Sequence, residues 1–205
     1  MSSISAAVPS VLGIFIFRKL PSEIKSLLVL LSASISCDVI SLILIRNHLN
    51  SWPVVNIFII IQFVLFFYLF DVQHRSVLLL WLFFGCILFG IANFIFVQGP
   101  FTFNSFSSYT FGILIIAKTL TYLHRTMLEM PVERIENLPH FWLAFGVLTY
   151  YGGNFFLFLF NNFMTTTFKE GNLIIWSFHN SLNVLKNCFI FIALWKAKTD
   201  SMSIS

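Results

Sequence analysis

The chain has 205 residues, of which 58% are hydrophobic, 18% are aromatic and only 10% are charged. Soluble domains carry about 25% charged residues, so this composition, with a mean hydropathy of +0.89, excludes a soluble globular protein and indicates an integral membrane protein. The formal net charge of +4 comes from lysines and arginines that lie mostly at the ends of apolar segments, which excludes a nucleic-acid-binding surface.

Seven apolar segments predict an all-α, polytopic transmembrane helical bundle that forms a single domain over residues 1–195. A helix needs about 20 apolar residues to cross a bilayer. The first segment is shorter and contains Pro9, so it either spans or is re-entrant. Residues 196–205 are polar, and we expect them to form a short disordered cytoplasmic tail. In chain order the segments are residues 5–17, 26–45, 53–70, 77–97, 108–123, 140–160 and 172–195.

The distribution of basic residues predicts an N-out, C-in orientation in the cytoplasmic (inner) membrane. When successive loops are assigned to alternate sides, one side collects eight lysines and arginines, and the other collects only Arg46 and Lys169. Short loops rich in Lys and Arg stay in the cytoplasm, so the side with eight is the inside, and it remains so if the first segment does not span. These residues are Arg18, Lys19, Lys25, Arg75, Arg125, Arg134, Lys196 and Lys198.

The last segment, residues 172–195, keeps its polar side chains in one stripe. They recur at steps of three and four residues, which places them on one face of a helix. A helix in hydrocarbon keeps such a stripe where it faces other protein or water. The stripe consists of Trp176, His179, Asn180, Asn183, Lys186 and Asn187.

Polar residues of other segments lie at a depth similar to that of His179. A rise of about 1.5 Å per residue places Asp38, Gln62, Asn93, Asn154 and His179 at similar depths in the outer half of the bundle. An isolated carboxylate is costly in hydrocarbon, so we expect Asp38 to have a donor or to be protonated, and His179 is the nearest candidate donor in depth. The other candidate donors are Asn180, Asn183, Ser34 and Ser41. The candidate ligand-binding residues are therefore Asp38, Gln62, Asn93, Asn154, Trp176, His179, Asn180, Asn183 and Lys186.

Three interpretations of these residues stay open. In the first, interhelical hydrogen bonds hold the bundle together, each worth about 0.6 kcal/mol. In the second, the residues line a pocket for a small molecule or a lipid headgroup, open to the outer side. In the third, Asp38 and His179 form part of a proton or ion path, although the basic side chains of Lys118 and Lys186 further inward make a poor path for cations.

The sequence carries no motif of an enzyme, a metal site or a cofactor site. The patterns HExxH, GxSxG and CxxC and a glycine-rich phosphate loop are all absent from it. Only Asp38 is an acid well inside an apolar segment, which counts against a membrane hydrolase. The cysteines Cys37, Cys86 and Cys188 lie in apolar segments and read as packing residues. Lys118 is near the inner end of its segment, and we expect it to snorkel.

The one substantial charged loop is predicted at residues 124–139. It lies on the cytoplasmic side in the predicted orientation, and its charged residues are candidates for docking a cytoplasmic partner. They are Arg125, Glu129, Arg134 and Glu136.

The last two segments resemble a group of known proteins. The runs PHFWLAFGVLTYYGGNFFLFLFNN and IIWSFHNSLNVLKNCFIFIALW are similar to the last two spans of small multi-span bacterial membrane proteins, which are akin to the membrane sensor modules of histidine kinases. That group has an apolar residue at the position of Lys186. A lysine in a seventh span is also typical of microbial rhodopsins, but their aspartate four residues earlier is replaced by Leu182 here.

Together these features favour a non-enzymatic membrane protein that acts as a sensor, signalling or accessory subunit. About ten residues follow the last segment, so we expect the output to pass through a cytoplasmic signalling partner. The alternative is an oligomeric pore or transport protein, including an effector or accessory of a bacterial defence system. The expected partners are the lipid bilayer, a cytoplasmic protein and further copies of the chain, with no nucleic acid, metal or cofactor.

Overall fold

The computed structural model gives the backbone of residues 2–17, 20, 22–71, 76–129, 134–167 and 171–203. Side chains are described for residues 5–17, 20, 24–71, 76–129, 134–157 and 176–198. Over the described backbone the chain is helical, with no strand, which confirms the all-α prediction. The helices are α1 (Ser2–Ile16), α2 (Ser22–Arg46), α3 (Trp52–Asp71), α4 (Val77–Ala92), α5 (Ser105–Glu129), α6 (Pro139–Thr167) and α7 (Gly171–Ser203).

Within the residues that the structure describes, four helices are long and apolar enough to cross a membrane. They are Ile24–Arg46 within α2, α3, α4 with its π-helical continuation to Val97, and α5. The apolar helix α1 has 15 residues, so at about 1.5 Å per residue it is shorter than the roughly 30 Å of a bilayer's hydrocarbon core. The bundle is therefore that of a membrane protein, and α1 is the helix whose length fits a full crossing least.

Three helices end later than the sequence suggests. The prediction of a loop at residues 124–139 is wrong over its first third, because α5 continues to Glu129. Thr126 in this last part of α5 is buried against the bundle. Helix α6 extends to Thr167 instead of ending near residue 160. A disordered tail was expected from residue 196, but helix α7 continues to Ser203. The helix can continue because no glycine or proline interrupts the sequence there. Residues 204 and 205 lie outside the described part of the chain.

The two ends of the bundle are defined by the loops they carry. At the first, the α4–α5 end, Asn50 of the α2–α3 turn donates a hydrogen bond to the carbonyl of Phe101, 2.8 Å away. At the second, the α5–α6 end, Lys196 near the end of α7 donates to Asn137 Oδ1 at 3.1 Å. Helices α2 to α7 thus run alternately up and down between two ends.

The most extensive helix contact joins α6 and α7. Gly146 of α6 makes it close: a Cβ added there would lie 2.8 Å from Phe189 Cβ and 3.3 Å from the carbonyl oxygen of Lys186. Gly153 of the same helix also lies close to α7, where an added Cβ would lie 2.6 Å from Leu182 Cδ1, whereas Gly152 has open space at that position. Helix α5 packs on the other side of α6, and α1 packs against α7 and α2.

The interior near the α5–α6 end is filled by large apolar side chains. Phe66 and Phe70 of α3 and Leu143 of α6 are almost completely buried, as are Ile190 and Leu194 of α7. In contrast, α4 lies at the edge and exposes most of its apolar residues, with only 11% of its span buried. A helix that is apolar all round and exposed suits contact with lipid.

Candidate functional site

A cavity of about 150 Å³ lies between α2, α3, α6 and α7. Seven of the nine residues expected at a ligand site line it, and they come from three different helices. The remaining lining residues, which include Cys37, Phe103 and Tyr150, were not expected from the sequence as ligand-site residues. The seven are Asp38, Gln62, Trp176, His179, Asn180, Asn183 and Lys186.

The cavity contains one acidic and one basic side chain that do not touch. Asp38 of α2 is half-buried, and Lys186 of α7 is 6% exposed. Within the described part of the chain, neither residue takes part in a hydrogen bond or an ion pair. The nearest described interaction of Lys186 is with an aromatic face, since its Nζ lies 4.3 Å from the centroid of the Tyr150 ring. The expected pairing of Asp38 with His179 is therefore wrong.

His179 bonds to α6 instead. Its Nδ1 lies 2.8 Å from Asn154 Oδ1, and Asn154 Nδ2 donates to the carbonyl of Tyr150 at 2.7 Å. Because the amide nitrogen is committed to that carbonyl, its oxygen must face the imidazole, so Nδ1 of His179 carries the proton. Asn154 itself is fully buried and holds the His179 ring in the cavity wall from behind.

Gln62 brings an unsatisfied donor to the same wall. The residue is 4% exposed, and its Nε2 lies beside the Tyr150 side chain without reaching full hydrogen-bond geometry. Gln62 and Tyr150 also line a second, smaller cavity of about 20 Å³, which places them side by side. A buried amide N–H without a partner costs roughly 1–3 kcal/mol, so this donor is suited to a group that the protein itself does not supply.

Three aromatic rings stand together at the α4–α5 end of the cavity. Trp52, Phe103 and Trp176 have centroids 5.5, 6.0 and 5.6 Å apart in the three pairs, and Phe103 and Trp176 line the cavity. We call this group the aromatic cap. Only Trp176 was expected from the sequence, because Trp52 and Phe103 lie beside turns and belong to no polar stripe.

The loop that carries Phe103 is fixed by one buried side chain. Asn56 of α3 donates from Nδ2 to the carbonyls of Pro100 and Thr102 at 3.2 and 2.8 Å, and its Oδ1 accepts from the backbone N–H of Asn104 at 3.1 Å. The loop starts at Gly99, whose φ of 76° favours glycine. The cap is thus attached to α3 through Asn56.

Two of the nine expected residues do not line the cavity. Asn154 lies behind His179, as described above. Asn93 opens the π-helical turn Asn93–Val97 and is fully buried, where its Nδ2 donates to Gln98 Oε1 at 2.9 Å and to Ser107 Oγ at 2.8 Å. Asn93 therefore ties α4 to α5, which is the structural interpretation for that residue.

The polar stripe of α7 divides between two tasks. Its members up to Lys186 face the cavity, whereas Asn187 turns toward α1 and donates to Ser5 Oγ at 2.8 Å. The polar face of α7 thus lines the cavity through its first members and contacts α1 through Asn187.

Lys118 does not snorkel, contrary to expectation. It is 2% exposed, its Nζ lies 2.5 Å from Asp71 Oδ1, and it stands 4.9 Å from the centroid of the Phe67 ring. Asp71 ends α3, and Lys118 lies five residues before Leu123 on α5, so both are at a similar depth near the α5–α6 end. This similar depth is the sequence feature from which the ion pair between Lys118 and Asp71 could have been predicted.

The four docking candidates are all exposed at the α5–α6 end. Arg125 and Glu129 lie on the last turn of α5 and not in a loop, which corrects the sequence prediction. Arg134 and Glu136 lie at and within the 3-10 turn Ile135–Asn137. The backbone carbonyl of Glu136 accepts a hydrogen bond from Trp142 Nε1 at 2.8 Å, which fastens this turn to α6.

Among the side chains that the structure describes, no group of three or more His, Cys, Asp or Glu is placed to hold a metal ion. Protein-family models, curated proteins and solved structures give no match to the chain. The resemblance to kinase sensor modules therefore stays a prediction, and the class that the fold and the site define is a helical membrane protein with a charged internal cavity.

Proposed function

We propose that the protein is a membrane receptor that binds a small polar molecule in the cavity and transmits binding to a cytoplasmic partner. One observation supports this most: Asp38 and Lys186 face the same cavity inside an apolar bundle without pairing with each other. Charges without a direct partner in such surroundings are costly and usually functional. A bound molecule that contacts both would offset that cost.

The filled interior favours binding over conduction through one chain. Between the cavity and the α5–α6 end, the space is occupied by Phe66, Phe70 and other fully buried apolar residues. The aromatic cap lies toward the opposite end. With the α5–α6 side filled, a ligand enters from the α4–α5 end, past the aromatic cap, and the described part of a single chain offers no continuous polar path.

In the proposed topology, α2 to α7 make six crossings and the α5–α6 end faces the cytoplasm of the inner membrane. Basic residues concentrate at that end, with Arg125, Arg134 and Lys196 among those described. Arg18, Lys19, Arg75 and Lys169, which complete the charge count, lie outside the described residues. An N-out, seven-span arrangement requires α1 to cross as well, and protease protection of an N-terminal tag distinguishes the two topologies.

The signal passes along α6 and α7, which carry cavity residues at one end and reach the α5–α6 end at the other. A ligand that binds one arrangement of these helices better than another shifts their equilibrium. The exposed residues Arg125, Glu129, Arg134 and Glu136 then present the change to a partner. This output is non-enzymatic and needs no cofactor.

The test is saturable solute binding to the purified protein in nanodiscs. A panel of small anions, cations, zwitterions and neutral polyols is screened by the shift in thermal unfolding midpoint. We expect at least one class to bind, and Ser34→Leu, which fills the cavity without altering its charges, to abolish the shift. Binding that survives Ser34→Leu, or no binding by any class, contradicts the proposal. Asp38→Asn and His179→Ala should weaken binding while the bundle still unfolds cooperatively.

The rival proposal is an oligomeric pore in which several chains line a channel. Conductance in reconstituted planar bilayers separates it from the receptor. A robust current that Ser34→Leu leaves unchanged would favour the pore, whereas the receptor proposal expects no ligand-independent current.

A further inference from the structure

The two charged residues of the cavity define complementary ends of a site. Asp38 comes from α2 and Lys186 from α7, so they approach from different helices. The Gln62 Nε2 donor on α3 joins the basic side, because Gln62 borders Tyr150, over whose ring the Lys186 ammonium stands. The cavity thus presents an acceptor on α2 and two donors, Lys186 and Gln62, beside Tyr150.

A ligand with a single charge fits only one half of this arrangement. A cation would satisfy Asp38 but would meet the ammonium of Lys186, and an anion would satisfy Lys186 but meet the carboxylate of Asp38. At separations of a few Å these interactions are worth several kcal/mol at an effective dielectric constant of about 20. A molecule that carries both an ammonium and an anionic group satisfies both.

The size of the cavity limits the molecule further. A cavity of about 150 Å³ takes a ligand of about the size of benzene, or about five waters at roughly 30 Å³ each. This is smaller than the roughly 300–1,000 Å³ of pockets for drug-sized ligands. The aromatic surfaces of Trp176 and Tyr150 in the lining also favour an ammonium group.

We infer that the cavity binds a small zwitterion, an ammonium joined by a short link to a carboxylate or phosphate, with the ammonium at Asp38 and the anionic group at Lys186 and Gln62. This inference rests on the proposed receptor function and names its ligand class. The same chemistry is available from a free amino acid and from the headgroup of phosphatidylethanolamine.

The experiment compares three probes of nearly equal size that differ in charge. L-alanine is zwitterionic, L-alaninamide carries only the ammonium and propionate only the carboxylate. Binding is measured by isothermal titration on the protein in phosphatidylglycerol nanodiscs, which contain no ammonium. We expect L-alanine to bind at least tenfold more tightly than either analogue. Equal binding of all three probes overturns the inference.

Variants at the two charged residues assign the ends of the ligand. Asp38→Asn should weaken L-alanine at least tenfold without weakening propionate, and Lys186→Gln should weaken both of these probes and spare L-alaninamide. Lys196→Gln, at the far end of α7, is the matched control and should change none of them. Equal losses for all probes in both cavity variants would indicate a purely structural role and would overturn the assignment.

A second arm identifies the source of the zwitterion. Nanodiscs containing phosphatidylethanolamine should weaken L-alanine binding by competition if the headgroup occupies the site, and should leave it unchanged if the ligand is a free solute. Both results agree with the inferred chemistry. If only singly charged or neutral solutes bind and Ser34→Leu blocks them, the zwitterion is wrong and the receptor stands. If no solute binds, both proposals fail.

Discussion

The protein contains two buried lysines in strongly different settings. Lys118 forms a direct ion pair with Asp71, 2.5 Å away, and stands over the ring of Phe67. Lys186 stands over the ring of Tyr150 and lines the cavity. Asp38 lines the same cavity but forms no ion pair with Lys186. In the first arrangement the two charges contact each other directly, whereas the second leaves both charges available to a ligand. The difference separates a structural ion pair from a candidate binding site.

The largest effect is expected when the complete pair is broken. Lys118→Met removes the ammonium from Asp71, whose side chain is only 18% exposed, and loss of one partner of a buried pair costs about 3–5 kcal/mol. The free energy of unfolding, measured in detergent micelles, should fall by that amount. The double variant Lys118→Met/Asp71→Leu should recover most of it, and a double variant as unstable as the single one would contradict the pair's role.

The next effect concerns the helix contact that positions Lys186. Gly146→Ala places a methyl group 2.8 Å from Phe189 Cβ and 3.3 Å from the Lys186 carbonyl oxygen, so α6 and α7 must separate, at a cost of about 1–3 kcal/mol. The control is Gly152→Ala on the same helix, where the methyl group meets open space. We expect that control to be neutral or slightly stabilising, and equal losses for the two variants would refute the close contact.

A smaller, local effect is expected at the aromatic cap. Asn56→Ala removes the hydrogen bonds to residues 100, 102 and 104, and the lost bonds should raise amide hydrogen exchange in the loop about tenfold, which corresponds to roughly 1.4 kcal/mol. Asn47→Ala, which removes only an exposed bond within its own turn, serves as control. Unchanged exchange in the 100–104 loop would mean that other contacts hold the cap.

The smallest effect on stability should come from Lys186→Met, the same substitution as at Lys118. It loses an interaction with the Tyr150 ring worth about 0.5–2 kcal/mol, but it also removes a buried charge that has no direct ion pair or hydrogen bond among the described residues. The two contributions oppose each other, so the free energy of unfolding should change by less than about 1 kcal/mol. A loss as large as that of Lys118→Met would show that Lys186 is also part of a structural pair.

Much of the cavity could be predicted from periodicity and depth. The spacing of Trp176, His179 and Lys186 places them on one helical face, and equal depth brings Asp38 and Gln62 to their level. Tyr150 and Phe103 escaped prediction because an aromatic residue in an aromatic-rich chain carries no signal of its own. The pairing of His179 with Asn154 was also missed, since depth alone does not say which neighbour an imidazole will face.

The sequence alone determined that this is a helical membrane protein, because a chain with 10% charged residues cannot solvate itself in water and must satisfy its backbone within helices. It also determined which helical face is polar, because the 3.6-residue period fixes direction around each helix. Only the tertiary structure decided which charges meet. Lys118 reaches Asp71 and Lys186 does not reach Asp38 because helix packing, set by contacts such as that at Gly146, fixes distances across the bundle that no local pattern encodes.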